Sequence, residues 1–267
     1  IAHPAGSGSD ESGDADDHAV PESPGVPYIN RMAFRRTREG GYSRAERVSD
    51  AVVHVAGLAS ALMAVPVLVT LAVFWRGDAP ALLGVAIYGA ALIAMILCSA
   101  LYHMVPHPDW KAFLRRLDHS AIYLKIAGTY TPFAFLSGAG VLLVTGLWGA
   151  ALAGIGIWIF APGRFRWLCF SLYLAMGWAG LVAGWPLFST MSAPVLGLVI
   201  AGGVIYTAGT LFYLMESLPF HNTIWHVFVL TASIVFFVAV TLHLADTSAL
   251  LDDVLDLDAE MSAPPGS

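Results

Sequence analysis

Seven apolar segments separated by short connections most constrain what this chain can fold into. Each is close to the ~20 residues that an α-helix needs to cross the ~30 Å hydrocarbon layer of a bilayer. The segments cover residues 51–75, 80–104, 118–137, 139–160, 165–187, 194–215 and 223–245. Because the connections are short, consecutive helices are expected to be antiparallel neighbours. The pattern predicts an all-α, polytopic membrane protein: a bundle of seven transmembrane helices.

The composition argues against a soluble helical bundle. Charged residues make up 12% of the chain, whereas roughly 25% is usual in a soluble domain. Helices of a soluble bundle also carry a polar face, which most of these segments lack. We therefore divide the chain into a disordered, basic cytoplasmic tail over 1–45, a seven-helix membrane domain over 46–246 and a disordered acidic tail over 247–267.

The basic residues predict the orientation of the bundle, because cytoplasmic loops are enriched in Lys and Arg. Eleven of the thirteen basic residues fall on one side of a seven-helix arrangement, and Arg76 falls on the other. The eleven are Arg31, Arg35, Arg36, Arg38, Arg44, Arg47, Lys111, Arg115, Arg116, Arg164 and Arg166. The N-terminus is thus expected in the cytoplasm, with the protein in the inner membrane of a bacterium. Lys125, the thirteenth, lies within the third helix.

Ionisable residues in a membrane are costly and mark functional sites more often than elsewhere. In this chain they gather at the predicted cytoplasmic ends of four helices. Along the first helix they follow an i, i+4, i+8 spacing that places them on one face. The set comprises Glu46, Asp50, His54, Ser99, His103, Asp118, His119, His221 and His226.

Three histidines from two helices predict a metal site. His103, His221 and His226, together with a water molecule, offer the tetrahedral donor set that suits Zn²⁺. A zinc ion with such an open position would lower the pKa of its water toward ~7. Five residues separate the last two histidines, so both can reach one ion only if the helix begins at Asn222, a good N-cap residue.

Each of these residues also has a structural interpretation. His103 can cap its helix, His226 can be an ordinary helix-interface residue and His221 can be a loop residue. Asp118 can cap the third helix, where a carboxylate favours the helix dipole, or it can accept a hydrogen bond from the water or from an imidazole. Ser99 can be a small interface residue or can bond to a substrate carbonyl. For His54, a hydrogen-bonded contact between helices is favoured over metal ligation.

At these residues the sequence resembles the haemolysin III branch of the progestin and adipoQ receptor family. The resemblance rests on Glu46, Asp50, His54 and Gly57 in the first helix, followed by the stretches SALYH, RLDHSAIYLKIAGTYTP and FHNTIWHVFV. It covers about 46–245. Many relatives have Asn in place of Asp50 and space the last two histidines by four residues.

The resemblance implies seven helices, a cytoplasmic N-terminus and a zinc site near the cytoplasmic side. It implies that His103, His221 and His226 are the zinc ligands, with Ser99 and Asp118 beside them. The larger CREST superfamily of membrane hydrolases includes alkaline ceramidases, which implies metal-dependent hydrolysis of a lipid amide.

The leading hypothesis is therefore a zinc-dependent membrane hydrolase. In it, Asp118 accepts the proton of the water and Ser99 stabilises the carbonyl oxygen. A receptor-like or membrane-homeostasis protein with a structural zinc is the second hypothesis, and a pore-forming haemolysin is the third. Membrane lipids, one of them as substrate, are the expected partners, nucleic acid is not expected, and the sequence leaves the oligomeric state open.

Overall fold

The computed structural model describes residues 43–161 and 164–262, without the side chains of Arg166 and 259–262. This part of the chain forms eight helices and no strand. They are α1 (Arg44–Trp75), α2 (Ala79–Met104), α3 (Pro108–Ser137), α4 (Val141–Phe160), α5 (Arg166–Ala183), α6 (Trp185–Phe188), α7 (Ala193–Leu214) and α8 (His221–Ser262). The predicted all-α class is confirmed. The N-terminal tail as far as residue 42, with four of its arginines, lies outside the described residues.

Five of the described helices are long and apolar enough to cross a membrane, namely α1, α2, α4, α7 and α8. They carry large apolar side chains on their outer surfaces, such as Leu142 and Phe160, each 87% exposed. An apolar surface of this kind is the one that a lipid phase would cover. The helix α5 is apolar but shorter, whereas α3 carries charged residues in its first turns. The short α6 lies between α5 and α7.

The helices α2 and α3 pack closely along their length, and α8 packs against α1, α3 and α7. Small residues permit the close approaches, as is common between membrane helices. A Cβ atom added to Gly154 of α4 would lie 2.4 Å from the Tyr123 ring of α3, and one added to Gly128 would lie 2.7 Å from Ala91 of α2. Larger residues at these glycines would separate the helices.

One stripe of α1 faces the interior from end to end. Its buried members follow each other at intervals of three or four residues, as expected for one face of a helix. They are Glu46, Asp50, His54, Gly57, Ala61, Val65, Leu68 and Ala72. The first three are polar and the rest are small or aliphatic, so this stripe of α1 is polar at one end only. We call this the polar end; it comprises Ser43–His54, Ser99–His103 and Phe220–His226.

The opposite end is closed by contacts between α8 and the turn that follows α1. Arg76 donates to the Thr247 carbonyl over 3.1 Å and pairs with Asp78, the N-cap of α2. Burial tends to raise the pKa of Asp78, but the bonds from the Ala81 N–H and from Arg76 outweigh it, so the pKa is lowered. Ser192, before α7, donates to Asp246 of α8 over 2.6 Å.

The C-terminal part of α8 differs from the sequence prediction. Residues 247–267 were predicted to form a disordered acidic tail, but α8 continues through Ser262. Residues 247–263 contain neither Gly nor Pro. Within them, Leu250, Val254 and Leu257 recur at helical spacing. Composition alone therefore placed the helix end too early.

Glu46 holds α1 and α8 together at the polar end, and its removal tests this. We expect Glu46→Ala to destabilise the protein by about 1–3 kcal/mol, because the substitution leaves the partly buried N–H groups of Ser43 and Phe220 without their acceptor. The thermal unfolding midpoint in detergent should fall, whereas that of Asp252→Ala, an exposed acidic residue of α8, should stay near wild type. Equal midpoints for the two variants would contradict this role.

Candidate metal centre

The first turn of α1 anchors the polar end. Ser43 and Glu46 form a reciprocal capping box, in which each side chain accepts the backbone N–H of the other residue. Such a box satisfies N–H groups that the helix itself leaves unpaired. The second carboxylate oxygen of Glu46 accepts the Phe220 N–H over 2.9 Å. The carboxylate therefore joins the start of α1 to the residue that precedes α8.

A second bond fixes the register of α1 against α8. The hydroxyl groups of Ser49 and Thr223 lie 3.1 Å apart, one turn further into the bundle than the Glu46 bond. Phe220 has a positive φ of 59°, an uncommon conformation for a bulky residue, and the bond that its N–H donates to Glu46 holds it. Together these contacts bring the first turns of α8 beside Asp50.

Asp50 bridges two histidines from different helices. Its Oδ1 lies 2.6 Å from Nδ1 of His226 on α8, and its Oδ2 lies 3.0 Å from Nδ1 of His103 on α2. The Asp50 residue is 3% exposed, so its carboxylate depends on these two partners. The carboxylate thus joins α1, α2 and α8 at one point.

These three residues form a group that could hold a metal ion. One ligand atom from each of Asp50, His103 and His226 lies within 4.8 Å of the others. Two imidazole nitrogens and one carboxylate oxygen are the protein ligands of a common catalytic zinc type, which keeps its fourth position open. The donor chemistry therefore fits zinc, and it lacks the thiolates that soft ions prefer.

His54 and Ser99 adjoin this group. The Nδ1 atom of His54 lies 2.8 Å from the Asp50 carbonyl oxygen, and its Nε2 lies 3.1 Å from the Ser99 hydroxyl. A carbonyl only accepts, so Nδ1 carries the proton and Nε2 accepts the Ser99 O–H. The His54 ring also lies against His226, with centroids 4.3 Å apart. The contact between helices that the sequence favoured for His54 is present.

His221 lies outside the group of donor atoms. A shared ion required that the last helix begin at Asn222, but the helix already includes His221. On a regular helix a five-residue spacing turns two side chains roughly 140° apart, and His221 directs Nδ1 to the Leu218 carbonyl, 3.2 Å away. Its assignment as a zinc ligand stays a prediction, while His103 and His226 are brought together.

Asp118 lies about three turns into α3, because the helix begins at Pro108 and not at residue 118 as the sequence predicted. It therefore does not cap this helix, which is one of the roles that the sequence allowed. Its carboxylate is 3.6 Å from Nδ1 of His119. The ring of Tyr102 contacts both His119 and His103, with centroid distances of 6.5 and 4.8 Å. One aromatic residue thus links the Asp118–His119 pair to the candidate metal centre.

Asp50 is the member of this donor group that the sequence-based ligand set did not include. Its signal was present, since Asp50 lies one turn before His54 on the buried stripe of α1. The spacing indicates which residues share a face but not which helix that face meets. Only the pairing of α1 with both α2 and α8 makes Asp50 the nearest carboxylate to His103 and His226.

Comparisons with known proteins identify the family of the chain. A family model described as Haemolysin-III related matches residues 43–237. The chain is 38% identical over 203 residues to a hemolysin-3 homolog of Bacillus subtilis, covering 74% of this chain and 94% of the relative. It is 36% identical to hemolysin-3 of Bacillus cereus over 76% and 94% of the two chains.

A human relative is more distant. The chain is 30% identical over 170 residues to the monocyte to macrophage differentiation factor of Homo sapiens, covering 59% of this chain and 69% of the relative. The matched region of the family model begins at the capping box of α1 and includes His103 and His226. The chain therefore belongs to the haemolysin-III-related family, within the wider progestin and adipoQ receptor relationship.

Proposed function

We propose that this protein is a zinc-dependent hydrolase that acts within the membrane on a lipid amide. The observation that carries the proposal is the approach of Asp50, His103 and His226, one residue from each of three helices, around a buried carboxylate. Ionisable groups are expensive in a membrane and persist chiefly where they serve a function. The sequence resemblance to a superfamily that contains alkaline ceramidases suggests the amide as the bond.

In this proposal, different residues would bind the ion, position the helices and accept a proton. Asp50, His103 and His226 would hold the ion, and Glu46 would keep α8 in register with α1. When bound, zinc would supply a Lewis acid and lower the pKa of a coordinated water. Asp118, beside His119, is the proposed proton acceptor, since a carboxylate within reach of the reacting water is a common general base.

Ser99 needs a change of partner to act in this scheme. Its hydroxyl donates to His54 Nε2 over 3.1 Å. To stabilise the oxygen of a substrate carbonyl, the hydroxyl would turn away from His54. A donor aimed at the developing negative charge is worth about 2.7–4 kcal/mol in known oxyanion sites.

A structural zinc in a receptor-like or membrane-homeostasis protein is the second candidate. The observation that favours it is that the group joins α1, α2 and α8, so an ion there would clamp three helices. A pore-forming activity, suggested by the names of the Bacillus relatives, ranks third. The described interior is polar mainly at one end and is closed in its middle by Leu68, Val85 and Tyr88, each fully buried.

For the topology we propose seven membrane crossings by α1, α2, α3, α4, α5, α7 and α8, with the polar end in the cytoplasm. An impermeant maleimide added to intact cells should then label Ser189→Cys, in the exposed connection before α7, but not Asp109→Cys. Both should be labelled after lysis. The unsubstituted chain is the control, because Cys98 and Cys169 are at most partly exposed. The reverse labelling order would refute this orientation.

Metal analysis of the purified protein tests the ligand set. We expect about one zinc ion per chain, and strongly reduced zinc in His103→Ala, His226→Ala and Asp50→Ala, because each removes one donor. His243→Ala, at the opposite end, is the matched control. His221→Ala should keep its zinc if Asp50 is the third ligand. Loss of zinc from His221→Ala with retention in Asp50→Ala would restore the ligand set predicted from sequence.

Turnover tests the catalytic proposal. In lipid nanodiscs, we expect the protein to hydrolyse a fluorescent N-acyl sphingosine. The hydrolysis should stop after treatment with a chelator and resume when zinc is added. Asp118→Asn should lower kcat by about 10²-fold or more, because it removes the proton acceptor, while keeping its zinc. Turnover that persists in metal-free protein would exclude this mechanism. Bound zinc without turnover would favour the structural candidate.

A further inference from the structure

The chain uses lysine sparingly, and one lysine lies in its interior. Of the thirteen basic residues, eleven are arginine and only Lys111 and Lys125 are lysine. Lys111 lies near the start of α3, where its amine bonds to the Tyr102 carbonyl and is exposed. Lys125 lies four turns further along α3 and is 3% exposed. The basic residue in the interior is thus a lysine, whose side chain can exist as a neutral amine, whereas an arginine side chain stays charged.

Aromatic rings surround the Lys125 amine. Its Nζ lies 4.7 Å from the ring centre of Tyr88 on α2 and 5.7 Å from that of Phe236 on α8. It donates one hydrogen bond, to the Thr129 hydroxyl at 2.8 Å. Among the described residues, no carboxylate lies within ion-pair distance of this amine, so it has no fixed counter-charge.

A second polar group near the amine also lacks a partner. The Tyr88 hydroxyl is fully buried and has no hydrogen-bond partner in the described part of the chain. A buried hydroxyl without a partner is uncommon and calls for an explanation. The nearby Tyr206, by contrast, bonds to the Ser233 hydroxyl over 3.1 Å. An amine and a phenol with unused hydrogen-bonding capacity therefore lie in the same apolar surroundings.

A structural role does not explain Lys125. Thr129 already donates to the Lys125 carbonyl over 2.7 Å, so its hydroxyl would stay bonded without the amine. A buried charge with no partner opposes folding, and an apolar residue of similar size is usually neutral or stabilising in such a place. What the amine supplies, and an apolar residue cannot, is a nucleophilic lone pair in dry surroundings.

We propose that Lys125 is a reactive amine that condenses with the carbonyl group of an apolar aldehyde or ketone dissolved in the membrane. The inference is independent of the proposed hydrolase function, because Lys125 contacts none of the candidate metal ligands. The apolar surroundings favour one class of ligand. A small, water-soluble aldehyde would have to lose its hydration, which costs free energy, whereas an aldehyde with a long alkyl chain is already dissolved in the bilayer and does not bear that cost.

The condensation is balanced and needs no oxidant. The nitrogen lone pair attacks the carbonyl carbon, so a C–N bond forms while the C=O bond opens to a carbinolamine. The former carbonyl oxygen then leaves as water with the two hydrogens of the amine, and a C=N bond remains. Tyr88 assists by lending its hydroxyl proton to the leaving oxygen and regaining a proton from the nitrogen. The rings of Tyr88 and Phe236 stabilise the cationic intermediate.

The test uses the wild-type protein, because Lys111 is an internal control. Protein in nanodiscs is incubated with hexadecanal, any imine is reduced with cyanoborohydride, and the label on each lysine is measured by peptide mass spectrometry. We expect more label on Lys125 than on Lys111, although Lys111 is the more exposed amine. A water-soluble aldehyde of low mass, glyceraldehyde, should give the reverse order.

Two variants sharpen the test. Lys125→Arg keeps the charge but cannot form the imine, so its peptide should carry no label while Lys111 stays as in wild type. Tyr88→Phe keeps the aromatic contact and should slow the labelling of Lys125 by removing the proton donor. Absence of label from Lys125, or a hexadecanal label on Lys111 that equals or exceeds it, would overturn the proposal.

Discussion

The buried carboxylate of Asp50 is the interaction on which the polar end depends. A carboxylate that has lost its water must find partners, because an unpaired buried charge costs several kcal/mol. Asp50 finds them in His226 and His103, at 2.6 and 3.0 Å, on two other helices. The first, second and last long helices therefore meet at one point. Whatever ion or proton this group holds is linked to the packing of the bundle.

The contacts around Asp50 act as a second layer of support. Glu46 and Ser49 tie α1 to the start of α8, and His54 ties α1 to Ser99 of α2. Side chains that orient a ligand are often as important for a metal site as the ligands themselves. The polar stripe of α1 thus supplies both a candidate ligand and the residues that position the other two.

The interior changes character along the bundle. The polar end concentrates imidazoles and carboxylates, the middle contains the lone amine of Lys125 among aromatic rings, and the opposite end is held by Arg76 and Asp246. Between them, small residues such as Gly128 and Gly154 let the helices approach closely enough to exclude water. Membrane helices gain no hydrophobic energy by associating with one another, so these close contacts and the buried hydrogen bonds hold the bundle together.

The sequence by itself determined the helices and the end at which the chemistry lies. Apolar length and the 3.6-residue period are local properties, so α2, α4 and α7 begin and end within two residues of the predicted limits, and α1 ends at the predicted residue. The helical spacing of Leu250, Val254 and Leu257 also indicates that α8 continues to Ser262, although composition alone placed its end too early. Only the tertiary structure decided that Asp50, rather than His221, joins His103 and His226. A ligand set depends on which faces of distant helices pack together, and the residue spacing within one helix does not determine that packing.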